Sequence, residues 1–246
     1  MGKSVKSNDS SQKVIGIPKK LVQLLPIRGK PTVPSVQVAN AYDVFKLCIS
    51  RAKNLLKIHE AAHGNQARPE TFLADAPRAA IVLCIAALDA YVRTYCLEKI
   101  SLILVDKNRE LPGPLANEIK RLIKDDQLLE AARKDDLLTR VEKAFRQEFE
   151  RKSFQGVKNI TDCLQIVGFE DVFHEVAISA AINEDNLKDE LTRFTKRRHS
   201  IAHQGDYDLS QNPPVENNIR KRDAEDCIKL VSKIAEAIHA SPKAKP

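Results

Sequence analysis

A chain of 246 residues, 43% of them apolar, is long enough to bury a hydrophobic core without disulfide or metal staples, as one large domain or two small ones. Its five cysteines are odd in number, widely spaced and without a CxxC pair, which points away from a disulfide scaffold and toward buried reduced thiols in a cytoplasmic protein. The net charge of +7 is uneven: residues 1–36 carry seven Lys and Arg against Asp9 alone, so +6 lies there and +1 in all the rest. The high pI therefore reports a basic tail more than a basic binding domain. Such an arm either attracts nucleic acid without regard to sequence or only keeps the protein soluble. No apolar run of the signal-peptide kind opens the chain, and position 6 is Lys where a myristoylation signal has Ser or Thr. The longest apolar run, residues 79–88, is far short of the ~18–20 residues that span a bilayer. The expectation is a soluble intracellular protein.

In chain order, residues 1–36 are rich in Ser, Lys and Pro and read as a flexible basic tail, with a short ordered piece around 21–25. From about Val38, Val44, Leu47, Cys48, Leu55 and Ile58 recur every three or four positions, which predicts a helix ending near Gly64. A polar connection with Pro69 follows. The most apolar helix comes next, with Asp75 placed to cap it and Pro77 in its first turn. Ile81, Ile85, Leu88, Val92 and Tyr95 line one face, and Val82, Leu83 and Cys84 make its start apolar nearly all round. Such breadth predicts a central helix packed on several sides. Leu111-Pro112-Gly113-Pro114 is a break. A helix over 115–124, a long charged helix over 127–150, and short helices over 158–167 and 172–182 separated by Gly168 come next. Residues 184–202 are amphipathic through Leu187, Leu191, Phe194 and Ile201. After Gly205, a polar loop with Pro213 and Pro214 leads to a last helix at about 218–240. No run alternates with period two, and no repeat of fixed period occurs. The pattern predicts an all-α bundle, a single domain over 37–246.

Three places carry titratable groups at a spacing that suggests chemistry. His59-Glu60-Ala61-Ala62-His63 is a literal HExxH, which on a helix sets two imidazoles on one face to hold zinc, with the glutamate as base. The third histidine of the extended motif is missing and no strand flanks it, so a helix end carrying C-terminal cations is the simpler account. Asp89 interrupts the most apolar helix. It either pairs with Arg93, four residues on, for only ~0.2–0.5 kcal/mol, or supports an imidazole elsewhere. The third place is Arg197-Arg198-His199-Ser200-Ile201-Ala202-His203-Gln204-Gly205-Asp206. An imidazole that moves a proton near neutral pH, beside a guanidinium that holds a phosphate, suits cleavage of an RNA phosphodiester. A basic helix end stopped by Gly205 is the plain alternative. On a regular helix Arg198 and His203 stand about 140° apart and do not share a face, whereas His199 and His203 do. Either the helix distorts near Gly205 or the assembly draws on two chains, as at a dimer axis. There is no phosphate-binding glycine loop, no dinucleotide fingerprint and no GxSxG elbow.

RRHSIAHQGD resembles the R-(N/D/H)-x-x-x-H signature of HEPN domains, the all-helical ribonucleases and nucleotide-binding modules of prokaryotic conflict and RNA-processing systems. Arg198 matches the signature arginine, His199 the polar residue after it (Asn is commoner there) and His203 the histidine. The stretch RAAIVLCIAALDAYVRTY is similar to the second helix of the HEPN subgroup linked to RNA-repair ligase and phosphatase neighbours. FQGVKNITDCLQIVGFEDVF and AYDVFKLCISRAKNLLKIHEAAHG also look like that subgroup, so the resemblance covers about residues 38–240. It implies a HEPN-like helical bundle with additional short helices. The implied activity is that of a metal-independent, cofactor-free endoribonuclease, homodimeric, in a cytoplasmic toxin or phage-defence system. The implied catalytic residues are Arg198, His203 and His199. His203 acts as base on the ribose 2′-OH or acid on the leaving 5′-oxygen, Arg198 opposes transition-state charge, and His199 supplies the complementary proton transfer. The products are a 2′,3′-cyclic phosphate and a 5′-OH. Asp89 is the supporting residue, and Arg193, Arg197 and Tyr207 lie along the RNA backbone. The implied partners are RNA, a second copy of the chain and an antitoxin or defence-operon protein, with no membrane and no metal. The alternative is a non-catalytic HEPN-like module that binds nucleotide, RNA or a protein partner.

Overall fold

A helix that is apolar around most of its circumference has to be covered on several sides, and that requirement organises the bundle. The structure is a computed structural model that describes residues 40–63, 71–106, 108 and 110–241. In order, the helices are α1 (Ala41–His63), α2 (Asp75–Val105), α3 (Gly113–Leu122), α4 (Asp125–Arg133), α5 (Leu137–Glu150), α6 (Val157–Ile166), α7 (Val172–Ala180), α8 (Glu184–Gln204) and α9 (Lys221–Ala240). The apolar helix is α2, and α1, α5, α6, α8 and α9 all pack on it. Ala80, Ile81, Cys84, Ile85, Leu88, Val92 and Cys96 are fully buried along its length. By length and composition α2 is apolar enough to cross a membrane, and 56% of its most apolar window is buried inside the bundle. The described residues belong to one compact unit; the basic segment 1–36 and the connection at 65–70 lie outside them.

The all-α bundle with additional short helices is what the structure shows, with three local departures from the sequence pattern. Asp75 does not cap α2 from outside. A 3₁₀ turn, Thr71–Ala74, runs into the helix, Asp75 is its first residue, and no side chain caps it. A carboxylate in the first turn still favours the positive end of the helix dipole. The expected long helix over 127–150 is two helices. Asp135 adopts a left-handed conformation at φ 53°, Asp136 N–H reaches the Ala131 carbonyl at 2.9 Å and Asp135 N–H the Ala132 carbonyl at 3.3 Å. That is a Schellman ending on an aspartate, a residue whose short polar side chain tolerates this backbone. The polar loop after Gly205 contains a small antiparallel hairpin, β1 (Tyr207–Asp208) paired with β2 (Val215–Glu216). Two-residue strands are too short to leave a periodic signal.

Gly168, at φ 100°, ends α6 as expected, with Phe169 N–H bonded to the Leu164 carbonyl. Cys84, Cys96, Cys163 and Cys227 are buried and Cys48 half-buried, all as free thiols. Burial, reinforced by the neighbouring Cys163 thiol, pushes the Cys96 thiol well above the ordinary range, the opposite of an activated nucleophile. Truncating Leu88, at the centre of α2, to Ala is expected to lower the unfolding free energy by about 2–5 kcal/mol. Leu129→Ala on α4, where the side chain is 68% exposed, is expected to stay within about 0.5 kcal/mol. Urea midpoints of the two variants check this.

Candidate active site

The motif occupies the last turns of α8. Asn183 starts the helix by accepting the Asn186 N–H at 3.0 Å. Leu187, Leu191 and Phe194 bury one face against the bundle. The helix stays α-helical through Gln204 and is stopped by Gly205 at φ 62°, with Asp206 N–H bonded to the Ser200 carbonyl. Of the two ways Arg198 and His203 could meet, distortion of the helix is therefore not the one adopted. Within one chain the two stay about 140° apart around the axis.

Thr192, Lys196, His199 and His203 form an exposed stripe at helical spacing. The His199 and His203 rings lie 4.5 Å apart between centroids, tilted by 44°. Arg198 is half-buried; its Nε is buried without a hydrogen-bond partner, and among the described residues it forms no ion pair. The structure thus brings the two histidines together and leaves Arg198 uncommitted on another face.

Asp206 holds Arg197. It is fully buried and sits in a left-handed conformation at φ 66°. Its Oδ2 accepts from Arg78 Nε at 2.8 Å and from Arg197 Nη2 at 2.6 Å. Asn217 donates both its backbone N–H and its Nδ2 to the Asp206 carbonyl, at 2.8 and 2.9 Å. Arg78 also donates to the Asn217 carbonyl at 2.9 Å and pairs with Glu216 Oε1 at 3.0 Å, and Arg197 donates to the Asn218 carbonyl at 3.0 Å. This network ties the first turn of α2, the end of α8 and the hairpin together. The family resemblance implied that Arg197 lies along the RNA backbone; in the structure its guanidinium is held by Asp206 and the 217–218 carbonyls. Arg78, buried in the first turn of α2, was missed. A charge inside the most apolar helix is the signal that marks it, the same signal that marked Asp89.

The remaining residues fall in other places. Arg193 makes a two-pronged contact with Glu190 at 3.1 and 2.6 Å on the helix surface, which raises its already high pKa. Tyr207 is exposed beside Gly205. Asp89 accepts from Phe154 N–H at 2.7 Å and Gln155 Nε2 at 3.2 Å, and pairs with Arg93 at 3.4 Å. It supports the 153–155 loop, which Thr195 of α8 reaches through the Gln155 carbonyl at 3.0 Å. No imidazole is among its partners, so its link to the motif is structural and runs through that loop. In HEAAH, His59 is buried, Glu60 is paired with Lys221 of α9, and the His63 side chain lies outside the described residues. The Lys221 hydrogen bond holds the Glu60 carboxyl below the usual range. Among the described residues no group of three or more His, Cys, Asp or Glu is arranged to hold a metal ion.

An all-helical bundle with an Arg/His motif ending its penultimate helix defines a HEPN domain. The RiboL-PSP-HEPN family model matches residues 46–241, and this chain belongs to that family, within a superfamily of RNases and nucleotide-binding modules. No curated protein and no solved structure matches the chain. Asp206→Ala leaves two guanidiniums without their buried carboxylate and is expected to cost about 3–5 kcal/mol of stability; Arg78→Ala, which leaves Asp206 paired with Arg197, is expected to cost less. Arg193→Ala, which breaks a surface pair and removes the guanidinium lying 4.0 Å over the Phe194 ring, is expected to cost about 0.5–2 kcal/mol. Thermal and urea unfolding of the three variants check the contrast.

Proposed function

We propose that the protein is a metal-independent endoribonuclease, a cytoplasmic toxin or phage-defence enzyme whose active site forms between two copies of α8. The observation that carries this reading is how the arginines of α8 are used. Arg193 is paired with Glu190 and Arg197 with Asp206, while Arg198 has no ion pair among the described residues and sits on another face of the helix that carries the two exposed imidazoles. A guanidinium kept without a carboxylate at a half-buried position is suited to receive an anion from outside the chain.

In this reading His203 removes the proton of the ribose 2′-OH, and the oxygen so formed attacks the adjacent phosphorus. Arg198 neutralises the charge that builds on the non-bridging oxygens. The bond to the 5′-oxygen breaks as a protonated His199 returns a proton to the leaving group. The products are a 2′,3′-cyclic phosphate and a 5′-OH. The regular geometry of α8 supports a two-chain site, because a two-fold axis near its C-terminal end brings Arg198 of one copy toward His203 of the other.

His203→Ala is expected to lower RNA cleavage in EDTA by ~10²–10⁴-fold, and Arg198→Ala by ~10²–10³-fold. Co-expressed with separate tags, the two inactive variants regain activity in the mixed dimer, where one of the two sites is intact. About half the activity of a wild-type dimer is expected there. No regain would place both groups of each site in one chain, and RNA bound but never cut by wild type would leave a non-catalytic binding module.

A further inference from the structure

The apolar residues whose spacing marks α1 in the sequence are not the ones the bundle buries. Phe45, Ile49, Ala52 and Leu56 enter the core, while Val44, Leu47 and Ile58 stay 42%, 64% and 62% exposed. They lie on the side of α1 turned away from α9, because Lys53, Lys57 and Glu60, on the other side, line the cleft that α9 closes. On α2 the same surface continues. Ala79, Leu83, Ala86, Ala90 and Thr94 recur at helical spacing along its exposed side, with Leu83 38% exposed. In a chain of which 30% is charged, this stripe of α2 has no charged residue. The stripe of α1 that runs from Val44 to Ile58 has only Arg51.

The apolar face borders the motif. At its edge Asp89 holds the 153–155 loop, which Thr195 of α8 reaches through the Gln155 carbonyl. His199 stands one turn beyond Thr195 on the same side of α8. Thr195 thus marks the level of Asp89, and Asp206 marks that of Arg78, so His199 and His203 fall between them, near the level of Leu83 and Ala86. α1 runs antiparallel to α2, with Ala41 N–H on Glu98 at 2.9 Å and Phe45 against Tyr91, so Leu55 and Ile58 reach that level too.

We infer that this face of α1 and α2 receives a second copy of the chain, across a two-fold axis that runs perpendicular to the helices past Leu83 and Ala86. Such an axis sets each α2 stripe antiparallel on its own copy and brings the two α8 ends together at the edge of the contact. With the exposed end of α8 the face offers roughly twenty side chains, and a stable interface takes ~20–30 from each partner. The choice of a second copy rests on the two-chain reading of the motif, since an unlike partner covers the apolar face without supplying a second α8.

Sedimentation equilibrium of the full chain tests the face without reference to RNA. Wild type is expected to be a dimer at micromolar concentration. Leu83→Glu sets two carboxylates against each other beside the axis and is expected to weaken the dimer at least about a hundredfold. Leu129→Glu, on the exposed surface of α4, is expected to leave it intact. Circular dichroism checks that each variant is folded; should Leu83→Glu unfold, Leu47→Glu decides. Cys48, half-buried on this side of α1 while the other four thiols are buried, gives a map of the covered surface. Iodoacetamide is expected to alkylate it at least about tenfold more slowly in the wild-type dimer than in the Leu83→Glu monomer. A monomeric wild type, a dimer that tolerates Leu83→Glu, or equal alkylation of Cys48 overturns the inference. A dimer broken by Leu83→Glu with RNA cleavage unchanged keeps this interface and removes the two-chain site. A wild type that dimerises through this face and cuts no RNA keeps the interface and removes the nuclease.

Discussion

One buried carboxylate holds the C-terminal end of α8 and the hairpin after it in place. Asp206 has no solvent exposure and lies between Arg78 from α2 and Arg197 from α8. Two guanidiniums on one carboxylate leave an excess positive charge in a poorly solvated place. Glu216, 3.0 Å from Arg78 on the solvent side, offsets it. Well-packed apolar residues often stabilise as well as a buried ion network does. What the polar version adds here is position. The backbone of Asp206, left-handed like Gly205 before it, turns the chain off the helix, and the two arginines fix where that turn lies. The hairpin and the 217–218 carbonyls are fastened by the same pair.

The consequence reaches the candidate site by subtraction. Three arginines crowd the second half of α8 and two are neutralised, one by a buried partner and one by a surface partner. Arg198 is left over, half-buried and without an anion of its own among the described residues. The histidines take the exposed stripe. Because Gly205 stops the helix cleanly, no local unwinding brings Arg198 round to His203. A regular helix therefore turns a question of mechanism into one of assembly: the two groups meet only if a second helix contributes.

HEAAH shows why a motif needs its surroundings. The spacing is right for zinc, but spacing does not say what else the side chains touch. Glu60 is drawn to Lys221 from a helix 161 residues away in sequence, and His59 is packed into the bundle. Asp89 is the converse case. Expected to pair with Arg93 or to support an imidazole, it pairs with Arg93 and holds the 153–155 loop through two hydrogen bonds.

From the order of residues alone, the all-α class, the central place of α2, the stop at Gly205 and the Arg/His motif were all readable. Each depends on periodicity, local backbone preference or residue type, which act over a few neighbouring positions. The break at Asp135 was not readable, because a left-handed aspartate competes with helix propensity by a margin that packing decides. Which arginine is free and what Asp89 supports were likewise invisible. Those depend on partners such as Arg78 and Asp206, 128 positions apart in the chain, and only the folded bundle brings them within hydrogen-bond reach.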